Sequence, residues 1–370
     1  MHAVAEPFNP ARCGTVLRCL LRLLRLLFLL PAMALGACGT IQYYSQSLAG
    51  QLEVLRRARP VEKVLHDPAT PGDVREALLF VEDVLEFART EMHLPDNDSY
   101  RHYAELGRPF IVWNVFAAPE LSLDPLPWCF PVAGCLHYRG YFSESGARRF
   151  AESLEQRGLD TYVGGVSAYS TLGWFRDPVL DTMLRRSAPE IVKLLLHELT
   201  HQLLYLPGDP EFNEAFAETV AGIGVERWLS ARPRMEAERF YADQSREEDF
   251  FKLILAGKRE LEDVYRSDAD ADLKRARKLA MAADLRRRYQ QLSRDWEMPD
   301  KYLDWFAGGI NNARLAAVST YRERVPDLLR VFRSAGEDLE TFYVLAATLG
   351  KCSVTARREW LQSGRIDERC

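Results

Sequence analysis

The chain has 370 residues, of which 47% are hydrophobic and 27% are charged. This composition is typical of a globular protein and excludes a disordered, a collagenous and a multi-span membrane protein. The formal net charge of −5 leaves no overall positive field to hold a phosphate backbone, so we do not expect nucleic acid as a partner.

Residues 1–37 have the features of an export signal. Four arginines between residues 12 and 25 have no acidic residue among them, and the apolar run from Leu26 to Leu35 is too short to span a bilayer. The run ends in Leu35-Gly36-Ala37-Cys38, which resembles the lipobox of bacterial lipoproteins. We therefore expect Cys38 to become the lipid-modified first residue of the mature chain, anchored to a membrane of the bacterial envelope. By the same resemblance, Gly39 indicates an outer-membrane location facing the periplasm. The alternatives are an ordinary signal peptide and an N-terminal anchor helix.

The mature chain keeps four cysteines besides Cys38, namely Cys129, Cys135, Cys352 and Cys370. In an oxidising periplasm the first two could close a small loop and the last two could pair, and four free thiols are the alternative. Because no Cys-x-x-Cys is present, a cysteine zinc site is not predicted.

Short strands are predicted between two helical regions. Apolar residues recur at helical spacing from residue 46 to residue 92, which predicts two helices broken near Asp67-Pro68 and Pro71-Gly72. The next segments are rich in β-branched and aromatic residues between Pro and Gly, which predicts strands of a small sheet: residues 109–116, 138–142, 161–163 and 166–171.

Helices dominate the chain after Ser187. Residues 232–296 are crowded with charges around a thin apolar stripe, which predicts a charged helical hairpin that turns near Ser267-Asp268. We therefore predict a single domain over residues 38–370, of α+β class and mostly helical, with the small sheet in its first half.

The first helix after Ser187 contains a metal-binding pattern. Ser187 and Glu190 form a capping-box pattern at its start, and His197-Glu198-Leu199-Thr200-His201 lies inside it. The i,i+4 spacing puts the imidazoles of His197 and His201 on one face, where they can bind one metal ion. Glu198 is rotated by about 100°, so its carboxylate can reach a metal-bound water without itself ligating the metal. This position suits a general base.

A second helix supplies a third ligand. It is predicted to start at Asp209-Pro210, and an antiparallel return would bring Glu214, thirteen residues after His201, over both histidines. Glu218, one turn further, could hydrogen-bond the free nitrogen of a ligating histidine. We expect one zinc ion per chain at His197, His201 and Glu214. Fe(II) and Mn(II) are alternatives, and so are polar groups satisfied between two helices without any metal.

Two motif sets carry a family resemblance. His197-Glu198-x-x-His201 together with Asn213-Glu214-Ala215-Phe216-Ala217 resembles the gluzincin metallopeptidases, and three further segments resemble a bacterial family described as putative aminopeptidases, often lipoproteins. These segments are residues 134–142, 168–180 and 311–315. The resemblance implies a gluzincin-like two-helix zinc site and a zinc-dependent peptidase, with aminopeptidase as the expected activity and a peptide as the substrate.

Gluzincins also need a strand edge that aligns the peptide and a donor for the oxyanion. The resemblance leads us to place the substrate strand at Gly165, Ser167 and Ala168. Tyr169 is the candidate donor, with Tyr205 and Tyr321 as rivals and a packed strand aromatic as the alternative.

The chain has no Gly-x-Met-Glu-Asn box of the kind that grips a free α-amino group in gluzincin aminopeptidases. An endopeptidase acting on envelope proteins is therefore the second candidate. A non-catalytic, zinc-stabilised lipoprotein that binds an envelope partner is the third, although such a protein has no use for Glu198.

Overall fold

The structure is a computed structural model that describes residues 40–130, 134–168, 171, 176–296, 302–319 and 324–363. The predicted export signal and Cys38 lie outside this range. The chain divides after Leu52 into two compact units, and the packing described below is that of the second unit, which begins at Glu53. No helix within these ranges is both long and apolar enough to cross a membrane.

Helices make up most of the described chain. They are α1 (residues 40–57), α2 (Val61–His66), α3 (Gly72–Thr90), α4 (Glu144–Glu155), α5 (Ala188–Leu203), α6 (Pro210–Ser230), α7 (Arg234–Arg266), α8 (Ala271–Leu292), α9 (Leu303–Ala307), α10 (Asn312–Ser319), α11 (Val325–Ser334), α12 (Leu339–Gly350) and α13 (Val354–Ser363). The strands are β1 (Arg59–Pro60), β2 (His102–Ala104), β3 (Val112–Pro119), β4 (Trp128–Phe130), β5 (Gly134–Leu136), β6 (Arg139–Tyr141), β7 (Leu159–Val166) and β8 (Val179–Leu180). The predicted α+β class with mostly helical structure is confirmed.

The region between residues 46 and 92 holds three helices, so the prediction of two was wrong. The additional break lies at Arg59-Pro60, which pairs antiparallel with β2 as strand β1. Proline has no amide hydrogen to continue a helix, and the extended pairing with β2 satisfies this part of the backbone instead.

The strands form three small sheets rather than one. The largest is antiparallel in the order β6-β3-β7, so β7 is an edge strand within the described sheet. A second has the order β1-β2-β8, and β4 pairs with β5 in a hairpin. The predicted strands at residues 161–163 and 166–171 belong in part to one continuous strand, β7, which ends at Val166.

Two of the apolar cores in the described chain pack most of its helices. The larger surrounds α5 and α6, whose inward faces are fully buried at Val192, Leu195, Leu196, Phe216 and Val220. The smaller of the two lies between α7, α8 and α9 and is rich in aromatic rings, with Phe250 stacked on Tyr302 at a ring-centroid distance of 4.2 Å. The helical segment over residues 232–296 therefore contributes to a buried core in addition to its charged surface.

The β4–β5 hairpin is closed by a disulfide between Cys129 and Cys135. Cys352 is also disulfide-bonded, and Cys370, its predicted partner, lies outside the described residues. The hairpin supports the turn between α5 and α6, because a Cβ on Gly134 would lie 2.5 Å from the backbone nitrogen of Gly208. Only a glycine allows the two backbones to approach so closely.

Gly134→Ala should therefore destabilise the protein strongly. Gly134 has a φ of +75°, which costs an alanine about 1–2 kcal/mol, and the clash with Gly208 adds overpacking of about 1–3 kcal/mol. Gly107→Ala is the matched control, because Gly107 has a φ of +66° but no atom within 4 Å of the place that a Cβ would take. Urea unfolding should show a clearly larger loss for Gly134→Ala, and equal losses would mean that the hairpin does not press on the turn.

Candidate metal centre

Helices α5 and α6 start at well-defined caps. The backbone N–H of Ser187 donates to Glu190 Oε2 over 2.9 Å, which is the capping contact that the sequence predicts. Asp209 caps α6 by accepting a hydrogen bond from the backbone N–H of Phe212 over 3.2 Å, and Pro210 occupies the first turn. These caps set where each helix begins and hence which residues face the neighbouring helix.

The turn between the two helices is clamped by the side chain of Asn213. Its Oδ1 accepts from the backbone N–H of Leu206 and its Nδ2 donates to the carbonyl of the same residue, both over 2.8 Å. Asn213 is buried. Because Glu214 is the next residue, this clamp fixes the direction from which its carboxylate meets α5.

Three side chains converge between α5 and α6. The Nε2 atoms of His197 and His201 lie 3.1 Å apart, Glu214 Oε2 lies 3.3 Å from His197 Nε2, and Glu214 Oε1 lies 3.7 Å from His201 Nε2. The ligand atoms of the three residues all lie within 4.8 Å of one another. This cluster could hold a metal ion, and it contains the three residues that the sequence predicts as ligands.

Burial and neighbouring charges shift the pKa values of the two histidines in opposite directions. Burial by itself lowers the pKa of His197, but the hydrogen bond and charge of Glu214, with the charges of Glu198 and Glu218, raise it to about 9. Burial and the charge of His197 lower the pKa of His201 to about 4 against the pull of Glu214. Without a metal ion, the neighbouring carboxylates therefore favour the protonated form of His197, whereas burial favours the neutral form of His201.

Glu198 is buried beside the cluster and is not one of the converging ligands. Burial raises its pKa to about 7; the charge of His197 opposes this shift, whereas the carboxylates of Glu214 and Asp177 add to it. A carboxyl group with a pKa near the working pH can both take and return a proton.

Glu218 lies one turn beyond Glu214 on α6. Its Oε2 is 3.8 Å from His197 Nδ1, which is an ionic contact slightly longer than a hydrogen bond. Its Oε1 lies 2.5 Å from the Lys193 ammonium on α5. The structure thus places Glu218 against the ring nitrogen that faces away from the cluster.

Through His197, the cluster borders a cavity of about 900 Å³. Its lining includes His197 and Glu198 on α5, residues 165–168 at the end of β7, and residues of α7 between Met235 and Glu247. The structure therefore brings the predicted substrate strand and the predicted general base into one space. Ser167 and Ala168 follow the end of the strand rather than lying in it.

The predicted oxyanion donor, Tyr169, and its rival Tyr321 lie outside the described residues. The other rival, Tyr205, has its ring centroid 6.3 Å from that of His201. Tyr205 is thus the one of the three tyrosines that the described part of the chain brings to the metal cluster.

One of the comparisons with known proteins identifies a family. The family described as "Putative aminopeptidase" matches residues 42–361. The chain belongs to this family. Comparisons with curated proteins and with solved structures found no match. The family description indicates a peptidase. This is also the activity that the sequence resemblance implies.

Sequence reasoning missed several residues that shape the site. Lys193 lies four residues before His197 and so on the same face of α5, a spacing that could have indicated it. Asp177 is buried and accepts hydrogen bonds from the backbone N–H and the hydroxyl of Thr171 over 2.9 and 2.7 Å. Its carboxylate also adds to the upward shift in the pKa of Glu198, an effect between distant segments that no local pattern predicts.

Proposed function

We propose that the protein is a zinc-dependent peptidase, with aminopeptidase as the favoured activity, in which Glu198 is the general base. One observation carries the proposal: a His197, His201 and Glu214 cluster lies beside Glu198, and His197 and Glu198 line a cavity that also reaches the end of an edge strand. A structural metal site would not require a carboxylate of shifted pKa that faces an open cavity.

The donor set fits zinc. Zn²⁺ takes imidazole nitrogens and carboxylate oxygens at about 2.0–2.2 Å, and a tetrahedron of that size separates its ligand atoms by about 3.3–3.6 Å. The two Nε2 atoms lie 3.1 Å apart, and a different oxygen of Glu214 lies nearest each of them, Oε2 at 3.3 Å from His197 and Oε1 at 3.7 Å from His201. The three side chains thus converge closely enough to hold one ion, and two imidazoles favour zinc over magnesium or calcium.

Different residues of the chain would have different roles in peptide hydrolysis. A zinc ion held there would supply a Lewis acid that polarises a carbonyl oxygen and lowers the pKa of water. Glu198 would accept the proton from the water that attacks the peptide carbonyl and then deliver it to the departing amine. His197, His201 and Glu214 would hold the metal, and Glu218 faces Nδ1 of His197 and so favours the tautomer whose Nε2 is free to bind.

The end of β7 is the favoured place for the peptide. Residues 165–168 line the cavity, and β7 is an edge strand within the described sheet, so an extended peptide could add beside it. The sequence predicts that Gly165 contacts the substrate, but the structure gives this glycine a packing role. A Cβ at this position would lie 2.2 Å from the ring of Phe110. The glycine makes room for this packing, whereas the peptide would meet the segment from Val166 to Ala168.

Zinc binding tests the proposal directly. We expect the protein to bind about one zinc ion and to release about one proton near pH 7, because the pKa of His197 is raised to about 9 and a metal binds only the neutral ring. The zinc affinity should therefore fall about tenfold for each unit that the pH is lowered below about 9. Titration with a competing chromophoric chelator at several pH values measures both the stoichiometry and this slope.

His201→Ala is the matched variant for this titration. Removal of one of three protein ligands should abolish retention of zinc under chelation. If the variant kept full zinc content under stringent chelation, the ligand assignment would be wrong. A wild-type affinity that did not depend on pH would contradict the raised pKa of His197.

We also propose that Cys38 carries a lipid that anchors the enzyme to the envelope, where its substrates would be peptides. The proposal rests on the lipobox resemblance. Metabolic labelling with a fatty-acid analogue should label the wild-type protein and leave Cys38→Ala unlabelled, and equal labelling of both would remove this part of the proposal.

A further inference from the structure

Acidic and basic groups alternate along the seam between α5 and α6. From one end, the contacts join His201 to Glu214 at 3.7 Å, Glu214 to His197 at 3.3 Å, His197 to Glu218 at 3.8 Å, and Glu218 to Lys193 at 2.5 Å. The α5 groups recur every four residues and so do the two α6 carboxylates, which is why the antiparallel helices mesh in this order.

Lys193 is the last group in this series, and it has a consequence for His197. Glu218 has two oxygens with different partners: Oε1 meets the Lys193 ammonium and Oε2 faces His197 Nδ1. A carboxylate held at one oxygen loses the freedom to rotate, so its other oxygen stays directed at its second partner. The side chains of Lys193 and Glu218 are each only about one-fifth exposed, so water screens this contact weakly.

The negative charges around His197 explain why Glu218 needs a basic partner to keep its position. Glu198, Glu214 and Glu218 all act on His197 as negative charges, and burial surrounds them with little water. Lys193 places a positively charged side chain in direct contact with one of the three. Without it, Glu218 would be repelled by its acidic neighbours and drawn toward the cavity, which Glu218 and Lys193 both line.

We infer that Lys193 is a positioning residue of the metal site, which orients Glu218 so that His197 presents Nε2 to the metal. This inference rests on the proposed zinc site. Lys193 acts through Glu218 and does not touch the metal ligands' coordinating atoms. Its removal should therefore weaken zinc binding by about tenfold or more, as loss of other groups that orient metal ligands does, without removing a ligand.

The test is zinc affinity, measured by chelator competition for the wild type, Lys193→Met, Glu218→Gln and the double variant. Lys193→Met keeps the length of the side chain but loses the charge, and we expect about tenfold weaker zinc binding. In the Glu218→Gln background, Lys193→Met should have little further effect, because the residue through which it acts is already changed. Lys193→Arg should recover most of the affinity, because arginine can also pair with the carboxylate.

Lys252→Met is the control, because Lys252 lies on α7 with a side chain that is 70% exposed. It should bind zinc as the wild type does. If the wild type bound no zinc, the proposed function itself would fail. If the wild type bound zinc and Lys193→Met matched it, or if the two substitutions weakened binding independently, only the role of Lys193 would be overturned. Equal weakening by Lys193→Arg and Lys193→Met would also overturn it, because a general packing defect would then explain the loss.

Discussion

Glu198→Gln should retain zinc and fold while kcat falls by at least about a hundredfold, the lower end of what a general base contributes. Glutamine has nearly the same size and can still hydrogen-bond, but it cannot accept a proton. Glu198 is buried, and its position beside His197 gives it access to the cavity without making it one of the three converging ligands. The expected loss is therefore one of proton transfer, so KM should change much less than kcat.

The control for Glu198→Gln is the same substitution at a glutamate that lies away from the cavity. Glu226→Gln on α6 serves as the control, because Glu226 is exposed and outside the lining of the cavity. It should leave kcat and zinc content unchanged. Unchanged turnover in zinc-loaded Glu198→Gln would show that another residue is the base.

Arg357→Met should lower the free energy of unfolding by about 3–5 kcal/mol, because it leaves a buried carboxylate without its charge partner. Arg357 forms an ion pair with Asp209, and both side chains are only 5% exposed. The guanidinium also donates to the carbonyls of Leu349 and Cys352 over 3.0 and 2.9 Å. Since Asp209 caps α6, this ion pair ties the C-terminal helices to the start of the helix that carries Glu214.

A double variant separates the lost pairing from lost packing. In Asp209→Asn/Arg357→Met no buried charge remains unpaired, and asparagine can still cap α6. Urea unfolding of the metal-free protein should therefore show a smaller loss for the double variant than for Arg357→Met alone. A loss below about 1 kcal/mol for Arg357→Met, which is the range of a surface pair, would contradict the assigned role.

Local patterns account for the parts of the site that the sequence predicted. The face shared by His197 and His201 follows from the helical period alone, and the caps at Ser187 and Asp209 are signals that act within one turn. To predict that Glu214 approaches the histidines, one must also assume that the chain returns antiparallel through a short turn. Asn213 stabilises that turn by its two hydrogen bonds to the backbone of Leu206.

The parts that the sequence did not predict depend on contacts between distant segments. The contribution of α7 to the cavity is one case. The composition of this helix is that of a charged surface helix, and only its tertiary position brings its residues to the site. The strand that ends at Val166 is another, because pairing with β3 sets its length and the composition continues beyond it. The break at Arg59-Pro60 likewise depends on pairing with β2, a strand far along the sequence.

Metal-dependent cleavage of peptides by the purified protein is the direct test of a zinc-dependent peptidase. The zinc-loaded protein should be incubated with aminoacyl and internally quenched peptides, before and after chelation and again after zinc is restored. We expect cleavage that disappears on chelation, returns with zinc and is absent in Glu198→Gln. Release of single N-terminal residues would identify an aminopeptidase, and internal cuts would identify an endopeptidase. A protein that carries zinc at His197, His201 and Glu214 but cleaves nothing across such a library would rule out the proposed peptidase and favour a non-catalytic zinc scaffold.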